Sequence, residues 1–574
     1  MAIEINFMVG GEAGQGVQTI GFTLAKTLSR AGLYVFADQD YESRVRGGHN
    51  FYRVRAGNSE VMTLSEKLDI LIAIDQKTID LHYKEVKEDG LIIFDPAKLK
   101  VAGNKLNSLG ISMEKLAEEK ADNKLMANSV AVGAAVAMGG YEFELLEQVL
   151  KEHFAHLGQD IVRANLRAAA AGYEEARLLK HDAIRQRIKP GNFTGIMLLN
   201  GNEAIALGAM AAGCKFMAAY PMTPASTIME YIVEKGRKFN IVMLQPEDEI
   251  AAINMAVGAG FAGVRAMTAT SGDGFALMTE GLGLAGITET PVVIVIAQRP
   301  GPAVGLPTRT EQSELNFAVY GGAGEFPRAV FAPCTIEDAF STTVEAFNLA
   351  EKYQIPVIIL TDQYMASCYQ TVPKFDLSKV VIDRGQLISE DEAEKITEYK
   401  RHQFTASGIS PRLIPMRGKA LVVTDSDEHD EAGHMIEDAK IRSQMMLKRL
   451  KKTEGLKKEL TAPRFHAKAK ASITLVGWGS TYGAIKEAAS LLEKDGIIAN
   501  VLQLNALWPF PTQAVTSALN NTKKNIVVEN NATGQLARLI RAETGIETSG
   551  SILKFDGRPF SPAYIVAEVK KGVI

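Results

Sequence analysis

Residues 220–226 read YPMTPAS, residues 245–263 read QPEDEIAAINMAVGAGFAG, residues 268–274 read TATSGDG, and residues 292–312 read VVIVIAQRPGPAVGLPTRTEQ. Each piece is the end of an apolar run that breaks into a Gly/Pro/Ser/Thr loop. That pattern predicts an open α/β sheet, whose ligands bind at the loops beyond the strand ends. The acidic triplet Glu247, Asp248 and Glu249 stands directly before a charge-poor run of Ala, Gly, Met and Val of helical length. A helix macrodipole favours an anion at that end, whereas burial of a carboxyl favours its neutral form. A solvated acidic first turn is the competing reading of the same three residues.

The same alternation continues outward from this stretch. Residues 3–9 run into GGEAGQGVQTIG and then an Ala/Leu helix pattern up to Arg30, which reads as strand, Gly loop, helix. Gly14 and Gly16 stand where backbone N–H groups would face a phosphate, although glycines serve tight strand–helix packing equally well. The spacing is not GxGxxG, which disfavours a nicotinamide site. In YESRVRGGHNFYRVR (residues 41–55), Arg44, Arg46, Arg53 and Arg55 form a basic patch, or else a solvated strand face with arginines two apart. His49 reads as a loop donor. Strands and helices alternate up to an Ala-rich helix at residues 163–179, predicting a parallel sheet covered by helices.

KPGN at residues 189–192 interrupts the pattern. GNEAIALGAMAAG (residues 201–213) opens a second domain with a helix of small residues. Beyond residue 383 charge rises, and a helix over residues 437–452 would set Ala439, Met446 and Leu450 on one face. DSDEHDEAGH (residues 425–434) reads as a solvated acidic turn in preference to a metal site. ITLVGWGSTYGAIKEAASLL (residues 473–492) restarts strand, loop, helix. The expected fold class is multidomain α/β, divided at residues 1–188, 189–380, 381–465 and 466–574, the third being a charged helical insertion.

A chain of 574 residues exceeds one core. With 46% apolar and 23% charged residues it is of globular composition, and its net charge of -4 gives no electrostatic reason to expect nucleic acid or an anionic membrane as partner. Cys214, Cys334 and Cys368 are far apart with no CxxC, so they build neither a zinc site nor an iron–sulfur cluster. The N-terminus lacks the pattern of a secretory signal, and no apolar run reaches a membrane-spanning length. A cytoplasmic location is therefore the expectation.

YPMTPAS, the EDE-before-helix segment and QRPGPAVGLPTRTEQ together resemble the pyrimidine-binding half of the 2-oxoacid:ferredoxin oxidoreductases, which use thiamine diphosphate. The order of pieces is similar over nearly the whole chain, with a γ-type domain fused ahead of an α subunit, as in 2-oxoglutarate:ferredoxin oxidoreductases (2-oxoglutarate synthases). On this resemblance residues 1–188 are the γ-type domain, residues 189–380 the pyrimidine-binding domain, and residues 466–574 a domain similar to the transketolase C-terminal domain. It implies coenzyme A-dependent oxidative decarboxylation of a 2-oxoacid, 2-oxoglutarate first, with reduction of ferredoxin, or the reverse carboxylation. Pyruvate and branched-chain 2-oxoacids stay open as substrates, as do two other readings: a thiamine enzyme of transketolase or dehydrogenase type, and a non-catalytic nucleotide-binding assembly protein.

The resemblance also assigns residues. Glu249, ahead of Glu247, is the shielded acid at the pyrimidine nitrogen, with Tyr220 and Pro221 beside the cofactor. Arg299 receives the substrate carboxylate, with Arg309 as competitor, and Thr223, Ser226 and Thr308 supply hydroxyl donors. Gly14, Gly16 and Arg46 are expected at coenzyme A. Thiamine enzymes bind diphosphate and metal through GDG followed by Asn, but no Asn lies between Asn254 and Asn316, so residues 272–274 read as a loop. This implies that Mg2+, the diphosphate grip and a 4Fe-4S cluster sit on a partner β subunit, in an α2β2 assembly that passes electrons to ferredoxin.

Overall fold

The computed structural model describes residues 4–43, 47–101, 107–179, 191, 193 and 195–572. Arg44 and Arg46, and the boundary expected at Lys189 and Pro190, lie outside the described residues. The chain divides into two compact units, Met1–Leu199 with Ser367–Lys374, and Asn200–Ala366 with Phe375–Ile574.

The first unit holds an eight-stranded sheet in the order Asn107–Gly110, Val86–Phe94, Leu68–Ala73, Glu4–Ala13, Gly47–Gly57, Tyr34–Asp40, Tyr369–Pro373, Ile196–Leu199. The first four strands are parallel, and every pairing from Glu4–Ala13 onward is antiparallel. The expected parallel sheet is therefore corrected to a mixed one. Only six residues separate Tyr34–Asp40 from Gly47–Gly57, too few for the crossover that parallel neighbours need. The sequence reading put residues 196–199 and 369–373 with residues 189–380, yet they extend this sheet, where Val35 N donates to Thr371 Oγ1 at 2.9 Å. Apolar faces of the helices Val17–Arg30, Ala127–Gly139 and Gln159–Leu178 close the core, with Ile20, Leu24, Val130 and Ala169 buried in it.

The second unit is built on a seven-stranded sheet in the order Ala506–Trp508, Ala329–Phe331, Pro356–Asp362, Val292–Gln298, Ala266–Thr270, Phe216–Ala218, Val242–Leu244. All are parallel except Ala506–Trp508. Val292–Gln298 and Pro356–Asp362 are buried throughout, as apolar central strands of a doubly covered parallel sheet must be. A second, five-stranded sheet runs Arg464–His466, Ala499–Leu504, Ile473–Trp478, Lys524–Glu529, Gly550–Leu553. The two sheets share one core, in which Ile294 and Leu360 join Val476, Trp478 and Leu504.

Residues 381–438 are largely irregular and lead into the helix Ala439–Glu459. Its buried side chains are Met445, Lys448, Arg449, Lys452 and Leu456, so the expected apolar face of Ala439, Met446 and Leu450 is corrected. The helix turns cations inward because buried Glu289 receives them, with Lys448 Nζ at 2.6 Å and Lys452 Nζ at 2.5 Å. His402 Nδ1 lies 2.8 Å from the same carboxylate. A second buried carboxylate, Glu351, gathers Arg265 at 2.7 Å and Arg384 and Arg412 at 2.6 Å each. These two hubs fasten the charged segment where its sparse apolar side chains do not.

Candidate active site

Four parallel strands of the second unit's sheet end side by side. Their following loops are residues 219–225 after Phe216–Ala218, 245–248 after Val242–Leu244, 271 after Ala266–Thr270 and 299–312 after Val292–Gln298. The carboxyl ends of neighbouring parallel strands form the crevice where α/β sheets bind ligands. All four quoted sequence pieces meet there.

The acidic triplet divides its labour. Glu247 is exposed, and Asp248 caps the helix Glu249–Phe261 by accepting from Ala251 N at 2.8 Å. Glu249 is 3% exposed, in phase with buried Ala252, Ile253 and Ala256. Its Oε1 is buried and has no hydrogen-bond partner. Gly274 makes the room, since a Cβ there would lie 2.6 Å from Glu249 Oε1. Residues 272–274 are thus not a free loop; they are the first turn of the helix Gly272–Ile287, packed against the Glu249 carboxyl.

Arg299 is 7% exposed and donates from Nη1 to the Thr223 carbonyl at 2.7 Å and from Nη2 to Asp273 Oδ2 at 3.0 Å, while its Nε has no partner. The YPMTPAS loop is held from the other side by Asn202, which donates to the Pro224 carbonyl at 2.8 Å and to Thr227 Oγ1 at 2.7 Å. Thr223 and Ser226 are half-buried, Thr308 is buried, and Tyr220 and Pro221 are exposed at the mouth. Both ends of the 299–312 loop are pinned by glutamines. Gln298 Nε2 donates to the Thr361 carbonyl at 3.0 Å, and Gln312 Nε2 to the Trp478 carbonyl at 3.0 Å. Arg309 is half-buried and lies against Gly557.

Several residues here escaped the sequence reading: Asn202, Ser271, Asp273 and Glu314. Asn202 Oδ1, Ser271 Oγ and Glu314 Oε2 are buried without partners. Burial, reinforced by the nearby Glu311 and Asp273 charges, pushes the Glu314 carboxyl up to about 8, and its Oε1 lies 2.7 Å from where a Gly272 Cβ would be. The signal was present in TSGDG and TRTEQSEL as polar residues at strand-end loops, but no periodicity says which of them turn inward. Buried donors and acceptors left unpaired within the chain are completed by water or by the polar groups of a ligand. Glu249 Oε1 offers a carboxyl to a ring nitrogen and Arg299 Nε offers an N–H to an oxyanion, so the residues fit a pyrimidine cofactor and an anionic substrate.

In the first unit, Gly14 and Gly16 follow the strand Glu4–Ala13, and Gly16 caps the helix Val17–Arg30 with φ 78°. The arginines described there are not a solvated face. Arg55 pairs with Glu4 at 2.9 Å, and Arg53 pairs with Glu85. His49 is buried, its Nε2 lying 2.8 Å from His82 Nε2, so it is not a loop donor. Across residues 425–434 the Asp430 carboxylate accepts from Ala432 N and His434 N, and Glu428 pairs with Arg449 at 2.7 Å. Among the described residues no group of three or more His, Cys, Asp or Glu could hold a metal ion, and no helix is long and apolar enough to cross a membrane.

Residues 207–448 match the family described as pyruvate flavodoxin/ferredoxin oxidoreductase, thiamine diphosphate-binding. Residues 6–175 match the pyruvate ferredoxin/flavodoxin oxidoreductase family, and residues 471–565 match core domain II of pyruvate:ferredoxin oxidoreductase. A 2-oxoacid:ferredoxin oxidoreductase α subunit from Sulfolobus is 32% identical, over 97% of this chain and 95% of its own. The 2-oxoglutarate synthase subunit KorA of Archaeoglobus fulgidus is 36% identical over 59% of this chain and 89% of its own. The solved 2-oxoglutarate:ferredoxin oxidoreductase of Magnetococcus marinus, with 2-oxoglutarate, coenzyme A and succinyl-CoA bound, superposes with a TM-score of 0.92 at 32% identity over the full length of both chains. Full-length likeness to a relative above 30% identity, joined to a crevice of this chemistry, makes the chain a member of the 2-oxoacid:ferredoxin oxidoreductase family, as its α subunit.

Proposed function

We propose that this α subunit works on 2-oxoglutarate, in coenzyme A-dependent oxidative decarboxylation to succinyl-CoA with reduction of ferredoxin, or in the reverse carboxylation. One observation carries the reading: buried Glu249, with Oε1 unpartnered, packs against Gly274, and Arg299, with Nε unpartnered, is bound to the adjacent Asp273. The substrate choice is supported by the relatives named for 2-oxoglutarate and by the ligands of the Magnetococcus enzyme.

Thiamine diphosphate, when bound, supplies the electron sink that decarboxylation of a 2-oxoacid requires. Glu249 would present its buried Oε1 to the pyrimidine nitrogen, with the first turn of the helix Gly272–Ile287 packed against its carboxyl. Tyr220 and Pro221, both exposed, would line the cofactor's place. Arg299 binds the substrate carboxylate through its guanidinium edge, a charge-assisted contact with the directionality of a fork. Thr223, Ser226 and Thr308 supply hydroxyl donors to the carboxylate or keto oxygen. Because the Thr223 carbonyl accepts from Arg299, loop and cation are oriented before substrate arrives. In the first unit, the N–H groups after Gly14 and Gly16 face the coenzyme A phosphates; Arg46, assigned there by the resemblance, lies outside the described residues.

The diphosphate grip, Mg2+ and a 4Fe-4S cluster belong to a β subunit in an α2β2 assembly. The α-subunit names of the relatives support this, as do the absence of CxxC from the chain and of any Asn between Asn254 and Asn316, the stretch that holds GDG. Steady-state kinetics of the co-expressed pair with 2-oxoglutarate, pyruvate and 2-oxoisovalerate test the substrate. 2-Oxoglutarate is expected to lead in kcat/KM by at least about tenfold; a lead by either competitor overturns the choice. Arg299→Ala is expected to raise KM for the 2-oxoacid by about a hundredfold while moving KM for coenzyme A far less, and equal effects on both would refute its role.

A further inference from the structure

We propose that Asp273 is a competing anion built into the substrate-carboxylate site, one that holds Arg299 until the 2-oxoacid arrives and thereby sets the affinity for it. The inference rests on the reading of Arg299 given under the proposed function and adds a residue that sets specificity.

The geometry is that of a half-filled fork. A guanidinium presents two parallel N–H groups along its Nε–Nη2 edge, the edge that grips a carboxylate in bidentate fashion. In Arg299 one Nη2 N–H donates to Asp273 Oδ2 at 3.0 Å, and Nε is buried and unpaired. Nη1 is tied down separately to the Thr223 carbonyl. The cation is therefore fixed in place with Nε open and Asp273 lodged on the neighbouring Nη2.

Asp273 is built to let go. Its side chain is 33% exposed against 8% for Arg299, so it can turn to water while the arginine cannot. It stands in the first turn of the helix Gly272–Ile287, where an anion is stabilised with or without a partner. The neighbouring Glu314, pushed up to about 8 by burial, is mostly neutral at pH 7 and does not compete for Arg299. An incoming carboxylate must displace Asp273 or share Nη2 with it. Either route weakens binding, and more so for a dianion than for a monoanion.

The test uses the co-expressed complex, with Asp273→Asn and Asp273→Ser assayed on 2-oxoglutarate and 2-oxobutyrate. Both variants are expected to lower KM for 2-oxoglutarate by about threefold or more, with kcat and KM for coenzyme A moving less, and with a smaller gain for 2-oxobutyrate. KM unchanged or raised in both variants would overturn the proposal and leave Asp273 as a support for Arg299 or for the helix end. Arg299→Lys, measured in parallel, separates the two readings. If it raises KM for the 2-oxoacid while the Asp273 variants do not lower it, only the competing anion falls. If it leaves that KM untouched, the receiver role of Arg299 falls, and the competing anion with it.

Discussion

Three successive acidic residues, Glu247, Asp248 and Glu249, end up in water, on a helix cap and in the core, respectively. Their composition marked the place and the family resemblance singled out Glu249; the structure supplies the reason, a helix phase shared with buried Ala252, Ile253 and Ala256. The partners of Arg299 were not legible, because a side chain's hydrogen bonds depend on loops brought together from residues 223 and 273. Glu314 was equally hidden, since nothing in TRTEQSEL says that its carboxyl is enclosed. Its raised protonation has a thermodynamic consequence. Between about 4.5, the ordinary value, and about 8, the folded chain holds a proton that the unfolded chain has released, so stability falls as pH rises through that window. Glu314→Gln is expected to flatten the fall by on the order of 3 kcal/mol, read as a shallower slope of Tm against pH between 5 and 8. An unchanged slope would mean that Glu314 ionises normally.

At the scale of elements, strands and helices with clean apolar periodicity were readable: Val292–Gln298, Ile473–Trp478 and the Gly-capped Val17–Arg30 follow from their residues alone. The pairing of Ile196–Leu199 with Tyr369–Pro373 was not, because register across so many residues is a property of the packed sheet. The helix Ala439–Glu459 inverted its expected face, since periodicity arguments assume that lysine points outward, whereas here Glu289 compensates Lys448 and Lys452 in the core. Removing that carboxylate leaves two buried cations without a counterion. Glu289→Gln is expected to cost about 3–5 kcal/mol at pH 7. Burial, ahead of the other effects, pushes Lys452 down to about 7, so the folded chain releases its proton before the unfolded chain does. Stability gains from this group as pH rises from about 7 toward 10.5, so the penalty of Glu289→Gln should shrink at pH 9. A penalty under about 1 kcal/mol by denaturant titration at pH 7 would show that the hub does not hold the segment.

At the scale of the whole molecule, the match to the Sulfolobus and Magnetococcus proteins runs from end to end, so the γ-type segment, the site-bearing sheet and the C-terminal sheet form one inherited chain. The pinning of Gln312 by Trp478 and Asn530 gives the C-terminal sheet a role in that design: it steadies the loop that carries Arg299. The crevice offers an acid and a cation, while electron transfer calls for clusters this sequence has no CxxC to build. The purified chain alone is therefore expected to show no 2-oxoacid-dependent ferredoxin reduction, and activity should appear on adding a β subunit that carries diphosphate, metal and cluster sites. Turnover by the lone chain would refute the division of labour. The most direct measurement is the rate of 2-oxoglutarate-dependent ferredoxin reduction by the assembled complex carrying Glu249→Gln. The account predicts a loss of at least about a hundredfold with the complex still intact, and a rate near wild type would contradict it.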